Sequence, residues 1–230
     1  MPAFNEERRV SDSLAKITEY LATRQYSSEV IVVDDGSTDR TALIVQDMAD
    51  EDDRVHLVQA VHGGKGHACK QGVLASHGDW IFLCDADLSM PIAELSKFTD
   101  RFNDNQPILI GSREVVGASR IDEPDHRHLM GRGFNWLVRS IAVKGIEDTQ
   151  CGFKCFRRDV ALNVFSLQTI PGWGFDVEVL FIARKHGYPV IEIPITWQYQ
   201  EHSKVRPVVD AVKMLREVCQ VRLNDWRGRY

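Results

Sequence analysis

Asp85-Ala86-Asp87 follows directly on the apolar run Trp80-Ile81-Phe82-Leu83-Cys84. Two carboxylates one residue apart at the end of a buried strand can face the same hard cation, Mg2+ or Mn2+, with diphosphate oxygens completing its shell. An ion held there by Asp85 and Asp87 neutralises charge building on a leaving nucleotide. Alone, the pair also reads as a helix-capping aspartate with a solvated neighbour, so its companions decide. Asp34-Asp35-Gly36-Ser37 closes the run from Glu29 to Val33. Asp35 offers acceptors to the donor-rich edge of a nucleobase or ribose, although Asp-Gly also simply makes a turn, with Ser37 or Thr38 capping a helix that starts near Asp39. Lys65, set among Gly63, Gly64 and Gly66 at a helix start, suits a diphosphate, because backbone N–H groups, helix dipole and ammonium all favour an anion. No Ser or Thr follows Lys65 where a P-loop requires one, which argues against that class of ATPase.

A second group lies mid-chain: Arg113, Arg120, Arg127, Arg132 and Arg139, with His126 and His128. Any single arginine reads best as part of a solvated face. Together they read as the seat of a second, anionic ligand, because the guanidinium fork matches phosphate. Ser203 and Lys204, just before the last helix, can add to it.

The elements that position these residues alternate strand and helix in the first half. Val10, Leu14, Ile17 and Leu21 mark an amphipathic helix. Strands fit residues 29–33, 55–59, 80–84 and 108–111, helices fit residues 66–77 and the stretch opened by Pro91, and the rhythm predicts a mostly parallel α/β sheet with helices on both faces. Ligands of such sheets bind beyond the carboxyl ends of the strands, where all three early groups fall. In the second half a basic loop from Ser112 to Arg127 leads into a helix reaching about Val143. A strand near residues 153–156, helices around 159–165 and 176–186, a strand over 190–197 and a helix over 207–223 follow. The chain opens on a loop-like segment with no strand before it, so the first strand is expected to be missing or to lie upstream.

The sequence has 230 residues, 43% hydrophobic and 27% charged, ordinary for one globular unit. A net charge of −5 carries no global basic footprint, which argues against a nucleic-acid partner. Five cysteines without regular spacing point to a reducing compartment, and Cys151 with Cys155 reads better as two partly buried thiols than as half a zinc site. No apolar run is long enough for a bilayer span. Val208, Val212, Leu215, Cys219 and Leu223 line one face of the last helix, with Lys213, Arg216, Arg222, Arg227 and Arg229 supplying charge. That face suits either the core or an anionic lipid surface.

Pro2-Ala3-Phe4-Asn5-Glu6, Asp34-Asp35-Gly36-Ser37, Gly64-Lys65-Gly66 and Asp85-Ala86-Asp87 together resemble the glycosyltransferase family 2 pattern. Gly111-Ser112-Arg113, Lys144-Gly145-Ile146, Asp148-Thr149-Gln150-Cys151-Gly152-Phe153-Lys154, Trp173-Gly174-Phe175-Asp176-Val177-Glu178 and Ser203-Lys204 narrow the resemblance to the dolichyl-phosphate β-glucosyltransferases. The resemblance implies a GT-A (Rossmann-like) fold in a single domain over residues 1–230, with a nucleotide-binding half (1–111) and an acceptor-binding half (112–230). It further implies UDP-glucose as donor, a polyprenyl or dolichyl phosphate as acceptor, a divalent metal, and a peripheral position on the cytoplasmic face of a membrane. By position, Pro2, Glu6 and Asp35 contact the nucleotide, Asp85 and Asp87 handle metal and ribose or diphosphate, and Arg113 with Arg127 or Arg132 holds the acceptor phosphate. The sequence departs from the family in lacking its first strand and its membrane segments, and in carrying His202 where a glycine commonly precedes the Ser-Lys pair.

The reaction expected is a single in-line displacement with inversion, in which an anionic phosphate acceptor needs no general base. For a hydroxyl acceptor, Asp148 or Asp176 is the expected base. A family 2 transferase using another donor such as GDP-mannose, or a hydroxyl acceptor, is the alternative enzyme. An inactive nucleotide-sugar binding module is the alternative of a different class.

Overall fold

The computed structural model describes residues 1–102, 105–199 and 207–230; the side chains of 125–130, 134 and 207–210 are outside what it describes, as are Ser203 and Lys204. In chain order the elements are β1 (Pro2–Ala3), α1 (Val10–Ala22), β2 (Val30–Asp34), α2 (Thr41–Glu51), β3 (Val55–Gln59), α3 (Lys65–Ala75) and β4 (Trp80–Leu83). A 3-10 turn (Ile92–Leu95) runs into α4 (Ser96–Thr99). Then come β5 (Ile108–Ser112), β6 (Ser119–Ile121), α5 (Asp125–Ile141), β7 (Lys154–Arg157), α6 (Arg158–Leu167), α7 (Phe175–Lys185), β8 (Val190–Pro194), β9 (Thr196–Gln198) and α8 (Pro207–Trp226).

A two-residue strand stands where the sequence shows only a loop-like segment. Pro2 and Ala3 pair in parallel with Val33 and Asp34, and the ladder extends on both sides, with the Met1 ammonium on the Ile31 carbonyl at 2.8 Å and the Asp35 amide on the Ala3 carbonyl at 2.8 Å. Proline fits the first residue of a strand, where no N–H is needed. The loop-like composition of Met1 to Glu6 concealed a strand made mostly by its neighbour's hydrogen bonds.

Strands β1, β2 and β3 form a parallel unit in that order. In the second sheet, ordered β4-β7-β5-β8, β7 runs antiparallel to both β4 and β5, whereas β5 and β8 are parallel. The antiparallel insertion delivers the segment before β7 to the same edge as the carboxyl ends of β4 and β5. Lys154 thereby stands between Leu83 and Ile110. Side-chain alternation along these strands splits the core into two layers. Ile81, Leu83, Ile108, Ile110 and Phe156 face the layer packed by α6, α7 and α8. Leu109, Cys155 and Ile193 face the layer closed by α1. Helix α1 buries Val10, Leu14, Ile17 and Leu21, the expected stripe.

Three local expectations fail. Helix α2 starts at Thr41, and the Asp39 carboxylate accepts the Thr41 amide at 2.9 Å, while the Ser37 hydroxyl accepts the Asn5 amide at 2.8 Å. An aspartate two residues on outcompetes Ser37 because it accepts as a charged group. The single strand expected over 190–197 is broken into β8 and β9, and β9 pairs in parallel with β6, a strand inside the basic loop.

Candidate functional site

The early groups converge at the carboxyl ends of β1 to β5. The Asp35 carboxylate is buried and accepts the Gly63 amide at 2.9 Å and the Gly64 amide at 2.8 Å, with the His62 imidazole 2.9 Å away. The doubled acid therefore clamps the loop that leads into α3. Gly64 holds φ +105, and a Cβ there would meet the Pro171 carbonyl oxygen at 2.7 Å. Only glycine allows that approach. The ring of Phe4 stacks on His62 with centroids 4.4 Å apart. Pro2 stands in β1 beside Val33. The Glu6 amide donates to the Thr41 hydroxyl at 2.7 Å, and the Glu6 carboxylate meets Arg9.

Asp85 and Asp87 lie just beyond β4. Helix α1 holds the middle of the motif, Ser13 Oγ donating to the Ala86 carbonyl at 2.7 Å. Leu88 adopts φ +45, uncommon for a side chain of its kind. This turn sets Asp87 Oδ1 to accept the Ser89 amide at 3.0 Å. The Lys65 ammonium contacts Asp85 Oδ1 at 2.6 Å and sits 5.2 Å from the ring centre of Trp173. Burial opposes both charges in this pair. The attraction outweighs it, so Asp85 is held below the usual carboxylate range and Lys65 above the usual lysine range. A Cβ at Gly152 would come within 2.2 Å of Asp85 Oδ2, so the backbone of the 148–152 segment seats that carboxylate directly. Asp85 and Asp87 offer oxygen donors only, which fits Mg2+ or Mn2+ sharing its shell with water and a diphosphate.

The later groups are arranged differently. Arg113 donates Nε to Asp148 Oδ2 at 2.7 Å and Nη2 to Oδ1 at 2.9 Å, and its own amide adds a third bond at 3.0 Å. Glu192 on β8 accepts the Glu147 and Asp148 amides at 2.7 and 2.9 Å, fixing the segment that carries the aspartate. Although burial pushes the Asp148 carboxyl up, the guanidinium and its hydrogen bonds prevail and hold it down to about 2. Asp176, in the first turn of α7, takes the Lys154 ammonium at 2.5 Å, which also donates to the Cys151 carbonyl at 2.5 Å. Lys154 is fully buried. The expected basic cluster is largely neutralised: Arg120 pairs with Glu114 and Glu123, and Arg139 with Glu147. Arg132 stays exposed, 3.9 Å from Glu114. Trp197 lies between Arg113 and Arg120, 5.7 and 5.8 Å from the ring centre.

Of the residues expected to do chemistry, Asp35, Lys65, Asp85 and Asp87 share the early edge, joined by Arg113, Asp148 and Asp176. The Arg127 side chain, Ser203 and Lys204 lie outside the described residues. Sequence reasoning missed Lys154, Gly152, Trp173 and Glu192 as working parts. Lys154 had a signal, a lone cation inside Phe153-Lys154-Cys155-Phe156, since a lysine in a buried strand requires a partner. Burial raises the thiols of Cys69, Cys84, Cys151 and Cys155, Cys69 and Cys151 to about 12. These cysteines therefore stay protonated near neutral pH and act as core residues.

A family model described as "Glycosyl transferase family 2" matches residues 1–165. The dolichyl-phosphate β-glucosyltransferase of Homo sapiens is 35% identical over 245 residues, covering 100% of this chain and 76% of that protein. Among solved structures, glucosyl-3-phosphoglycerate synthase from Mycobacterium tuberculosis in complex with UDP superposes with a TM-score of 0.70 at 20% identity, covering 97% of this chain and 77% of that one. The same synthase in complex with Mn2+, UDP-glucose and phosphoglyceric acid gives a TM-score of 0.65 at 19% identity, covering 97% and 76%. At these identities the likeness shows the GT-A fold.

Proposed function

Because the chain belongs to glycosyl transferase family 2 and is therefore a glycosyltransferase, we propose that it moves glucose from UDP-glucose to dolichyl phosphate or a related polyprenyl phosphate, inverting the anomeric carbon. The observation that carries this reading is the state of Asp148 and Asp176. A hydroxyl acceptor needs a base to take its proton, yet Asp148 is closed by a two-pronged arginine and Asp176 is buried against Lys154. A phosphate acceptor arrives already anionic and needs neither. The dolichyl-phosphate relative supports the acceptor, and the synthase bound to UDP-glucose supports the donor.

In the reaction an acceptor phosphate oxygen attacks the anomeric carbon as the bond to the UDP oxygen breaks, and UDP departs with the electron pair. Pro2, Glu6 and Asp35 line the nucleotide end, where the Phe4–His62 stack offers a flat neighbour for a base. Lys65 binds the diphosphate. Its single contact with Asp85 leaves two further ammonium donors. Asp85 and Asp87 would hold a divalent cation, Mg2+ or Mn2+. When bound, that ion supplies charge that stabilises the leaving diphosphate. Arg113 orients the acceptor phosphate: a guanidinium has five N–H donors, and the bonds to Asp148 use two of them. Arg127, Arg132, Ser203 and Lys204 complete the acceptor side, which lies at the cytoplasmic face of a membrane.

The test is to incubate the chain with labelled UDP-glucose, and in parallel labelled GDP-mannose, together with Mg2+ or Mn2+ and dolichyl phosphate. Label entering the lipid phase from UDP-glucose is expected. Transfer from GDP-mannose instead, or tight UDP binding with no transfer, overturns the reading.

A further inference from the structure

Helix α8 has two apolar faces, and only one is used inside the molecule. Met214 packs on the core, and Val218 and Val221 are wholly buried. The opposite face presents Val212 and Trp226, 66% and 82% exposed, with exposed Cys219 between them and Leu215 and Leu223 half-buried beside it. This is the stripe that reads as a candidate core face in the sequence. Among its described side chains the structure turns Val212 and Cys219 outward and leaves Leu215 and Leu223 half-buried. A helix that stays apolar on its solvent side is made for a second surface.

The charges around the stripe say which surface. Lys213, Arg216, Arg222, Arg227 and Arg229 are exposed, and from residue 211 onward no acidic residue is exposed. This occurs in a chain of net charge −5. Neither acid of this stretch is free: Asp225 pairs with Lys185 and lies 3.8 Å from Arg222, and Glu217 accepts the Gly174 amide at 2.7 Å. A cavity of about 260 Å³ on the same helix is lined by Lys213, Arg216, Glu217 and Gln220. Pairing with a second copy of this face would set five cations against five. No helix among the described residues is long and apolar enough to cross a membrane.

We propose that the outer face of α8 docks on anionic phospholipid, with Val212, Cys219, Leu223 and Trp226 entering the interface and the flanking cations meeting headgroup phosphates. The proposal rests on the reading that the acceptor is a lipid phosphate, because the same helix reaches the site from its inner face. Glu217 holds Gly174, next to Trp173 over Lys65, and Met214 Sδ accepts Gln150 Nε2 at 2.7 Å, two residues from Asp148. Docking this helix thus brings the loops of the site to the surface where the acceptor resides.

The experiment is flotation of the whole chain with vesicles of phosphatidylcholine alone, or of phosphatidylcholine mixed with phosphatidylserine. Two variants run in parallel, Arg216→Glu with Arg227→Glu, and Val212→Ser with Trp226→Ser. Turnover is also measured in free solution on a short, water-soluble polyprenyl phosphate. We expect flotation with the anionic vesicles only, weakened by salt, and reduced roughly fivefold or more per cation reversed. Both variants should keep wild-type melting and wild-type turnover in solution. Absence of flotation with anionic vesicles, or equal flotation of wild type and both variants, overturns the proposal. So does a concentration-dependent dimer that the Val212→Ser with Trp226→Ser chain no longer forms. Failure of turnover in solution with flotation intact would instead strike at the proposed reaction.

Discussion

Two of the site's ion pairs, Lys65–Asp85 and Arg113–Asp148, are built for opposite purposes. Lys65 and Asp85 meet through a single contact, with 17% and 28% of their side chains exposed. Arg113 and Asp148 meet through two side-chain bonds and a backbone bond, with 22% and 3% of their side chains exposed. A single-contact pair whose carboxylate reaches solvent can exchange partners at little cost, because water and an incoming diphosphate replace what each group gives up. A two-pronged pair with its carboxylate buried cannot, because parting it strands that charge away from water. In the proposed reaction the donor edge is thus left adjustable, and the acceptor edge is set in advance.

The sharpest break of that contrast is Asp148→Asn against Asp85→Asn. Removing the Asp148 charge leaves the half-buried Arg113 with half a partner, and urea unfolding should show a loss of about 3–5 kcal/mol. Asp85→Asn should cost below about 1 kcal/mol but lower turnover roughly 10²–10³-fold, the usual price of one group placed at developing charge. Equal stability losses in the two variants would erase the distinction.

Next in size is Gly152→Ala. A methyl group 2.2 Å from Asp85 Oδ2 must push the carboxylate or the 148–152 segment aside. Overpacking of this kind costs about 1–3 kcal/mol, read as a lower melting temperature, and the KM for the donor should rise with it. An unchanged donor KM would mean that Gly152 does not seat Asp85.

Acid sharpens the comparison further. The Asp148 carboxyl is held at about 2 in the folded chain, below the unfolded value of about 3.9. Its pair with Arg113 therefore contributes stability in full above about pH 4, and loses it as pH falls towards 2. Acid titration of wild type should show this loss, and Asp148→Asn should lack that component. The smallest effect belongs to Arg132→Ala. The residue is 66% exposed, so stability should move by no more than about 0.5 kcal/mol, while the KM for the lipid acceptor rises about two- to fivefold.

The same division governs what could be read in advance. On the donor edge each group follows its own strand, so apolar runs and the Asp35, Lys65 and Asp85 clusters locate the site from local pattern alone. On the acceptor edge the partners lie 35 residues apart for Arg113 and Asp148, and 22 apart for Lys154 and Asp176. Nothing in the run Phe153 to Phe156 announces that β7 enters antiparallel between β4 and β5, since alternation is the same in either direction. The arginines therefore read as a ligand cluster, whereas Glu114, Glu123 and Glu147 neutralise much of it. Met1 to Ala3 failed for a related reason, being a strand through its pairing with β2. The outward face of α8 was visible as a stripe, but only packing tells which stripe faces out.

The most direct test of the account is the anomeric configuration of the lipid-linked glucose, read from the proton coupling of the purified product by NMR. A base-free displacement across a preset acceptor edge predicts the β anomer from the α-linked donor. An α-linked product would contradict it, requiring either a covalent sugar intermediate or attack from the leaving-group side.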